Sequence, residues 1–379
     1  MVKIIHTADI HLESPFALLD VQKAKMRKNE LREIFTSIIR LAESEKADIM
    51  IIAGDLFDSN FVTKETTELL ISLFSSVPKC RFVIAPGNRD YIWGRSPYRK
   101  KIFPNNVYIF EKEQITCFSF PEIGVDVYGC AFVSESYTEN PLEKKIPLQK
   151  SRINIFAAHA DLGGKSKYCP ISVSDIARSG FDYVALGHRH QGGRVQTVGN
   201  TYYAYSGCPE GRSFDECGKR GVLIVELEKN SMQLVANFKK YRTCKRHYEK
   251  ITVDITGVDS QEALLECVKQ AIENDGFGPD VLLRIRLTGQ ISPEVTLYPH
   301  KLDASSLGIF YLEVEDASVP ILNCDELKND ISVRGAFFRE LLPMLQSENE
   351  EERRTAADAL RYGLAALDGN DIEDDTQQK

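Results

Sequence analysis

The sequence of 379 residues predicts an α/β protein built from more than one domain. Short apolar runs that end in Gly, Asp or His alternate with helical patterns in the first hundred residues, which is typical of βαβ units. A second, compact α/β pattern begins near residue 246, and the pattern becomes helical after residue 334. A chain of this length exceeds what one hydrophobic core organises, so two or three units are expected.

The first predicted domain spans residues 1–245. Its βαβ part contains "KIIHTAD", a helical pattern at 30–45, "DIMIIAGD", a second helical pattern at 63–76, and "RFVIAPGN". From about residue 106 the sequence is strand-rich, and the runs "NIFAAHAD" and "FDYVALGHRH" also end in polar clusters. The stretch "GVLIVELEKNSMQLVANFKKY" alternates as a β-ribbon does, with its turn at "EKNS".

The second predicted domain spans residues 246–320 and contains "YEKITVDITGV", a helix at 260–274, and "DVLLRIRLTG". Residues 321–379 are predicted to form a helical, acidic tail. Pro343 should kink or stop its first helix, and the polar residues 370–379 are expected to be disordered. The apolar stripes of this tail consist of Phe338, Leu341, Leu342 and Leu345, and of Ala357, Leu360, Leu364 and Leu367.

Composition limits the classes of function. The formal net charge of −8 argues against a globally basic nucleic-acid binder, so any contact with DNA must be local. Nine cysteines without a CxxC pair favour reduced thiols. The start "MVKIIHTADIH" becomes polar too early for a signal peptide, and no apolar run is long enough to span a membrane. We therefore expect a cytoplasmic protein with no membrane partner.

Five polar clusters follow predicted strands, where the carboxyl ends of strands in an open α/β sheet converge on one crevice. They offer oxygen and nitrogen donors without thiolate, which suits a pair of divalent metals such as Mn or Fe better than structural zinc. Such a pair can hydrolyse a phosphate ester by in-line displacement. Taken alone, an Asp, His or Asn at a strand end is more often a cap or turn residue; the ordered set of five carries the prediction. The clusters are Asp9-Ile10-His11, Gly54-Asp55, Gly87-Asn88, His159 and Gly187-His188-Arg189-His190. The remaining histidines, His6, His247 and His300, are predicted to be structural or surface residues.

The segments "DIH", "GDLFD", "GNRD", "H" and "GHRH" resemble the five motifs of the calcineurin-like metallophosphoesterases. The flanking stretches "HTADIHLESPF", "AGDLFDS" and "YSGCPEGRSFDECGKRGVLIVEL" resemble the DNA double-strand-break repair exonuclease branch of that family, the SbcD-type and YhaO-like proteins. The resemblance covers residues 1 to about 240 with specific motifs.

The resemblance implies two divalent metal ions, with Mn favoured and Fe, Mg or Zn as alternatives. It assigns Asp9, His11 and His190 to the first ion, with Asp55 as the bridge. It assigns Asn88, His159 and His188 to the second. It also implies a two-sheet β-sandwich core flanked by helices, a smaller α/β capping domain, a homodimer, DNA as substrate, and an SMC-like partner ATPase with coiled-coil arms.

Arg89 departs from the family pattern, which has histidine at this position and an acid after it, here Asp90. Asn88, Arg89 and Asp90 are thus the predicted catalytic residues. A guanidinium cannot act as a general acid, although it can hold a phosphate with two hydrogen bonds. Loss of a proton donor typically lowers a rate about 10²- to 10⁴-fold. The alternative is that Arg89 pairs with Asp90 or points to solvent.

Three functions remain open on the sequence alone. The first is a Mn-dependent phosphodiesterase that acts at DNA ends, and the second is a catalytically impaired, metal-containing subunit that binds DNA ends or a partner. The third is a phosphoesterase for small nucleotides or proteins. The basic clusters that could contact DNA are Arg99-Lys100-Lys101, Lys165 with Lys167, Lys219-Arg220, and the run from Lys239 to Arg246.

Overall fold

The computed structural model describes residues 1–94, 96–100, 102–230, 233–292, 295–321 and 324–367. The strands are β1 (Val2–Thr7), β2 (Ile49–Ile52), β3 (Arg81–Ile84), β4 (Val107–Ile109), β5 (Thr116–Phe120), β6 (Val125–Gly129), β7 (Ile153–His159), β8 (Asp161–Leu162), β9 (Pro170–Ile171), β10 (Tyr183–Gly187), β11 (Gln196–Val198), β12 (Thr201–Tyr205), β13 (Gly221–Asn230), β14 (Gln233–Arg242), β15 (His247–Asp254), β16 (Val281–Thr288), β17 (Gln290–Ile291), β18 (Tyr311–Asp316) and β19 (Val319–Pro320). The helices are α1 (Val21–Ser44), α2 (Lys64–Ser76), α3 (Val173–Ser179), α4 (Gln261–Asn274), α5 (Cys324–Asn329), α6 (Val333–Leu345) and α7 (Glu350–Leu367). The chain divides into two units, Met1–His247 and Tyr248–Lys379.

The first unit contains two six-stranded sheets, in the orders β14-β13-β1-β2-β3-β4 and β11-β12-β10-β7-β6-β5. In the first sheet β1 to β4 are parallel, and β13 runs antiparallel to β1. In the second sheet β6, β7, β10 and β12 are parallel. The predicted ribbon is the β13–β14 pair; its turn at "EKNS" lies partly outside the described residues.

Both sheets contribute to one hydrophobic core. Ile51 and Val83 of the first sheet and Ile155 of the second belong to the same buried cluster, together with Phe35 of α1 and Phe74 of α2. These strands are almost continuously apolar because both of their faces are covered. The predicted α/β class, with a two-sheet core flanked by helices, is confirmed.

The helix α1 begins at Val21, well before the predicted pattern at 30–45. The prediction missed the first turns of the helix because they are polar. Asp20 caps it by accepting hydrogen bonds from the backbone N–H groups of Gln22 and Lys23, each at 2.9 Å. On its buried face, Arg27 is fully buried and forms ion pairs with Glu30 and Glu210. A charged pair of this kind is invisible to a search for apolar periodicity.

The second unit has a three-stranded sheet, β15-β16-β18, against which α4 packs. Ser260 caps α4 at the predicted start of that helix. The helices α6 and α7 share a small apolar cluster of Phe338, Leu360 and Leu364. Pro343 lies inside α6, which ends two residues later at Leu345.

The predictions for the C-terminal region have different outcomes. The helical C-terminal region is present, whereas residues 370–379 lie outside the described part of the chain. The division of this unit near residue 320 into a capping domain and a tail stays a prediction. None of the described helices combines the length and apolar character that a membrane crossing requires.

Candidate metal centre

The seven predicted ligands lie at or just beyond the carboxyl ends of five parallel strands. Asp9 and His11 follow β1, Asp55 follows β2, and Asn88 follows β3. From the second sheet, His159 is the last residue of β7, and His188 and His190 follow β10. Close pairwise contacts join all seven side chains, so the structure brings the predicted set together.

The first group consists of Asp9, His11, Asp55 and His190. One donor atom from each lies within 4.8 Å of the others. His11 Nε2 is 3.3 Å from His190 Nε2 and 3.6 Å from Asp55 Oδ2, and His190 Nε2 is 3.7 Å from Asp9 Oδ1. Donor atoms from three loops therefore face one small volume.

The second group is centred on His159. Its Nε2 atom is 2.9 Å from Asn88 Oδ1, 3.3 Å from His188 Nδ1 and 3.5 Å from Asp55 Oδ2. Its Nδ1 atom lies 3.1 Å from the carbonyl oxygen of Ala53. Asp55 Oδ2 lies near both groups, 3.6 Å from His11 Nε2 and 3.5 Å from His159 Nε2, and its role as a bridge stays a prediction.

The backbone at these positions is held in an unusual conformation. Asp9, His11, Asp55 and His188 have φ values of +54°, +51°, +50° and +102°. Such values cost free energy for residues other than glycine, and they cluster at functional sites where surrounding structure enforces them. Here the loops hold each other: the N–H groups of Asp9 and His11 donate to the carbonyl oxygens of Gly54 and Asp55 at 3.0 and 2.9 Å.

Glycine is required where the two sheets approach the site. A Cβ atom on Gly54 would lie 2.3 Å from His159 Nδ1, and one on Gly187 would lie 1.8 Å from the carbonyl oxygen of Ala53. The small residues before Asp55 and His188 thus permit the close approach that brings the two sheets' ligands together.

The electrostatics of the cluster fit a cation. Burial raises the pKa of Asp9 to about 6, and burial together with the charge of Asp90 raises the pKa of Asp55 to about 8. Burial lowers the pKa of His11 and of His159, and that of His188 to about 4. At neutral pH these three imidazoles are therefore neutral, each with one lone pair, and the effect of burial on the pKa values of the two carboxyls exceeds the opposing effect of the nearby His190 charge. These donors fit divalent metal ions.

Three residues that sequence reasoning missed surround the first group. His190 Nδ1 donates to Glu216 Oε1 at 2.5 Å, which leaves Nε2 as the atom with a lone pair facing the cluster. Arg212 bonds Glu216 Oε1 at 2.9 Å and Asp58 Oδ1 at 2.8 Å. Asp58 Oδ1 in turn lies 3.0 Å from His11 Nδ1. Glu216, Arg212 and Asp58 thus form a chain of polar contacts that joins the Nδ1 atoms of the two histidines of the first group.

This arrangement also sets the protonation of His190. Burial lowers its pKa, but the hydrogen bond to Glu216 and the charge of Asp9 outweigh burial, so the pKa is raised. Burial opposes ionisation of Glu216, yet His190 and Arg212 keep the pKa of this carboxyl well below its usual range.

The turn after β3 places Asn88 in the cluster and Asp90 behind it. Asp90 accepts hydrogen bonds from the N–H groups of Gly87 at 2.7 Å and Leu56 at 2.8 Å, and from Tyr98 Oη at 2.6 Å. It therefore braces the two loops from a buried position. The Arg89 N–H donates to Asp55 Oδ1 at 2.9 Å, while the Arg89 side chain is exposed. Among the described residues the Arg89 guanidinium forms no ion pair, with Asp90 or any other acid.

The predicted basic clusters have different surroundings. Arg220 is buried and donates to the backbone carbonyls of Glu216, Cys217 and His190, so it is a structural residue. Lys167 lies over the Tyr168 ring, whose centroid is 4.8 Å from that of His188. Lys101 lies outside the described residues.

The remaining histidines are separate from the cluster's ligand groups. His6 is fully buried on β1, where its Nδ1 atom is 2.8 Å from Tyr183 Oη, and burial lowers its pKa to about 3. His247 is buried and His300 is exposed.

Comparison with known proteins gives a consistent result. The sequence model of the calcineurin-like phosphoesterases matches residues 2–192. The chain is 26% identical over 346 residues to the uncharacterized metallophosphoesterase YhaO of Bacillus subtilis (strain 168), covering 87% of this chain and 83% of that protein. It is 24% identical to the SbcD component of the nuclease SbcCD of Staphylococcus epidermidis, covering 81% of this chain and 86% of that protein. It is also 24% identical to the DNA double-strand break repair protein Mre11 of Saccharolobus solfataricus, covering 83% of each chain.

Proposed function

The chain belongs to the calcineurin-like phosphoesterase family, and on this premise we propose that it is a two-metal phosphodiesterase that hydrolyses DNA at its ends. The observation that carries the proposal is the buried cluster of seven donor residues contributed by both sheets. The choice of DNA is supported by the similarity to a component of a nuclease and to a DNA double-strand break repair protein.

We propose that Asp9, His11 and His190 hold one ion and that Asn88, His159 and His188 hold the other, with Asp55 between them. Manganese is the proposed metal, because the donor set is oxygen and imidazole nitrogen without thiolate. When bound, two such ions would act as Lewis acids on the attacking oxygen and on the leaving oxygen of an in-line displacement at phosphate.

The residues around the ligands do distinct work in this proposal. Glu216 fixes the His190 tautomer, and Asp90 holds the loops of Asp55 and Asn88 together. Arg89 offers an exposed, permanently charged guanidinium that can bind a phosphate but cannot release a proton to a leaving oxygen. We therefore expect firm binding of DNA and slow turnover.

The test is cleavage of labelled duplex and single-stranded DNA by the purified protein with Mn²⁺. Asp55→Ala and His188→Ala should abolish cleavage, because each removes a donor from the cluster. Asp126→Asn is a matched control: Asp126 is a buried carboxylate that pairs with Arg152 at 2.8 Å on β6, away from the strand ends that form the cluster. Equal activity in all four proteins would show that a contaminant does the cleaving.

A second candidate is a metal-containing subunit that binds DNA ends with little or no catalysis, which the exposed Arg89 favours. It predicts stoichiometric metal and measurable DNA binding without turnover in any divalent metal. A third, phosphoesterase action on small substrates, predicts that cyclic nucleotides or p-nitrophenyl esters are cleaved better than DNA.

We also propose a cytoplasmic homodimer with an SMC-like coiled-coil ATPase as partner. The support is the likeness to a component of the nuclease SbcCD, together with apolar residues such as Leu341 and Leu342 on α6. These residues also pack against the chain's own cluster. Protection of residues 334–367 from proteolysis in the isolated protein would argue against α6 and α7 as the docking surface.

A further inference from the structure

Two aromatic side chains, Phe61 and Trp93, lie on the loops that carry donor residues of the metal centre and are not among those donors. Phe61 is 81% exposed, the most exposed phenylalanine among the described residues. Its ring is 6.5 Å from that of Trp93, centroid to centroid, at an interplanar angle of 67°. Trp93 is partly exposed, and it is the single tryptophan of the chain.

Both residues lie on the loops that carry the donor cluster. Phe61 is three residues beyond Asp58, whose Oδ1 atom is 3.0 Å from His11 Nδ1. Three residues span at most about 11 Å between Cα atoms, so the Cα atom of Phe61 lies within this distance of the Cα atom of Asp58. Trp93 is four residues beyond Arg89, whose N–H donates to Asp55 at 2.9 Å.

The two loops are held together independently of the aromatic pair. Asp90, on the Trp93 loop, accepts from the N–H groups of Leu56 at 2.8 Å and Phe57 at 3.3 Å, on the Phe61 loop. The aromatic pair therefore does not have to hold the loops, and the Phe61 ring contributes little to the core. An exposed apolar side chain is ordinary by itself. Here the aromatic pair and the exposed Arg89 are on the two loops that carry donor residues of the proposed phosphoester site, and aromatic rings together with arginine are the composition of a nucleotide-binding platform.

We propose that Phe61 and Trp93 form a stacking platform for an unpaired nucleobase next to the scissile phosphate, with the Arg89 guanidinium on the adjoining phosphate. The inference rests on the proposed function, since it names the substrate of the same site: a DNA strand whose bases are not paired. In a closed duplex each base face is covered by its neighbours, so the platform discriminates in favour of frayed or single-stranded ends. Stacking is tolerant of sequence because every base has an aromatic face.

The single tryptophan makes the platform directly observable. Trp93 emission is followed while oligothymidylate is added to metal-free protein, so that no strand is cleaved. Three ligands are compared: the oligothymidylate, a strand of equal length with abasic sites, and a covalently closed duplex circle, which has neither ends nor unpaired loops. A labelled oligothymidylate followed by anisotropy gives the affinity independently of the tryptophan.

Oligothymidylate should quench the emission, whereas the abasic strand and the closed duplex circle should quench it little. Phe61→Leu should weaken oligothymidylate binding by about 5- to 150-fold, the range for loss of one stacked base. Phe61→Tyr, which keeps the ring, is the matched control and should bind like the unmodified protein.

Equal quenching by the abasic strand, or equal affinity of the Phe61→Leu and Phe61→Tyr proteins, would overturn the platform. Cleavage of DNA with Mn²⁺ is measured on the same preparations. DNA cleavage without base-dependent quenching refutes the platform and leaves the phosphodiesterase standing. Base-dependent quenching without any cleavage keeps the platform and refutes the proposed catalytic function instead.

Discussion

Replacing Glu216 with glutamine tests whether the residues behind the first donor group control metal binding. Glu216 accepts from His190 Nδ1 at 2.5 Å, from Arg212 Nη2 at 2.9 Å and from the Arg212 N–H at 2.7 Å. Glutamine has nearly the same size but is neutral, and its amide nitrogen is a donor that would face the donors of His190 or Arg212. Even where the amide oxygen still faces His190, the bond that fixes the tautomer and orientation of the ring loses its charged acceptor and is weakened.

The magnitude follows from what Glu216 contacts. Loss of a residue that orients a metal-ligating histidine typically costs about 10- to 100-fold in metal affinity, which is about 1.4 to 2.7 kcal/mol. The loss should fall on one ion only, because Glu216 touches His190. The orientation of His159 depends instead on the carbonyl oxygen of Ala53, at 3.1 Å.

Calorimetric titration of the metal-free protein with Mn²⁺ measures both sites. We expect two binding events in the unmodified protein and in Asp126→Asn, with one of them weakened in Glu216→Gln. Unchanged affinities, or an equal loss at both sites, would show that Glu216 does not act through His190 and would refute the reasoning.

Three further predictions concern charge and proton transfer. Arg89→His should raise kcat for DNA cleavage by less than about 100-fold. The gain is limited because Asp90, which would have to orient the new imidazole, already accepts hydrogen bonds from two backbone N–H groups and from Tyr98. An unchanged single-turnover rate would show that Arg89 does not limit catalysis. The pKa of Asp55 is raised from 3.8 to about 8, whereas the lowered pKa values of His6, His11, His159 and His188 oppose this effect only below the unfolded histidine value of 6.5, so above about pH 7 the folded metal-free protein binds more protons than the unfolded chain. Its free energy of unfolding should therefore fall as the pH rises from about 7 to about 8, and Mn²⁺ should remove the decline; a flat profile in urea titrations over this window would contradict this. Arg27→Met leaves the buried Glu210 without its ion-pair partner, whereas Glu30 keeps Arg246 at 2.8 Å, and should destabilise the fold by about 3 to 5 kcal/mol, measured as a lower urea midpoint; an unchanged midpoint would mean that Glu210 is neutralised otherwise.

Sequence reasoning was most successful where a local pattern determines position. An apolar run followed by a polar residue marks a strand end, and the carboxyl ends of parallel strands meet, so the proximity of Asp9, Asp55 and His188 could be predicted. Glu216 and Arg212 lie on a loop without periodicity, and Arg212 meets Asp58 across 154 positions of the chain. No local sequence pattern predicts a contact between residues this far apart in the chain. The start of α1 was missed for a related reason, because its buried Arg27 is charged.

The place of β1 in its sheet has a consequence for synthesis of the protein. β1 lies between β2 and β13, with Val2 opposite Leu227 and His6 opposite Leu223. Asp9 and His11 leave the ribosome first, yet their strand gains its second neighbour only after more than half of the chain has been translated. His190 and Glu216 also emerge late. Pairing of this sequence separation is slow, because a long loop must close before contacts compensate for it. A nascent chain therefore cannot assemble the first donor group until His190 and Glu216 have emerged, when more than half of the chain has been translated.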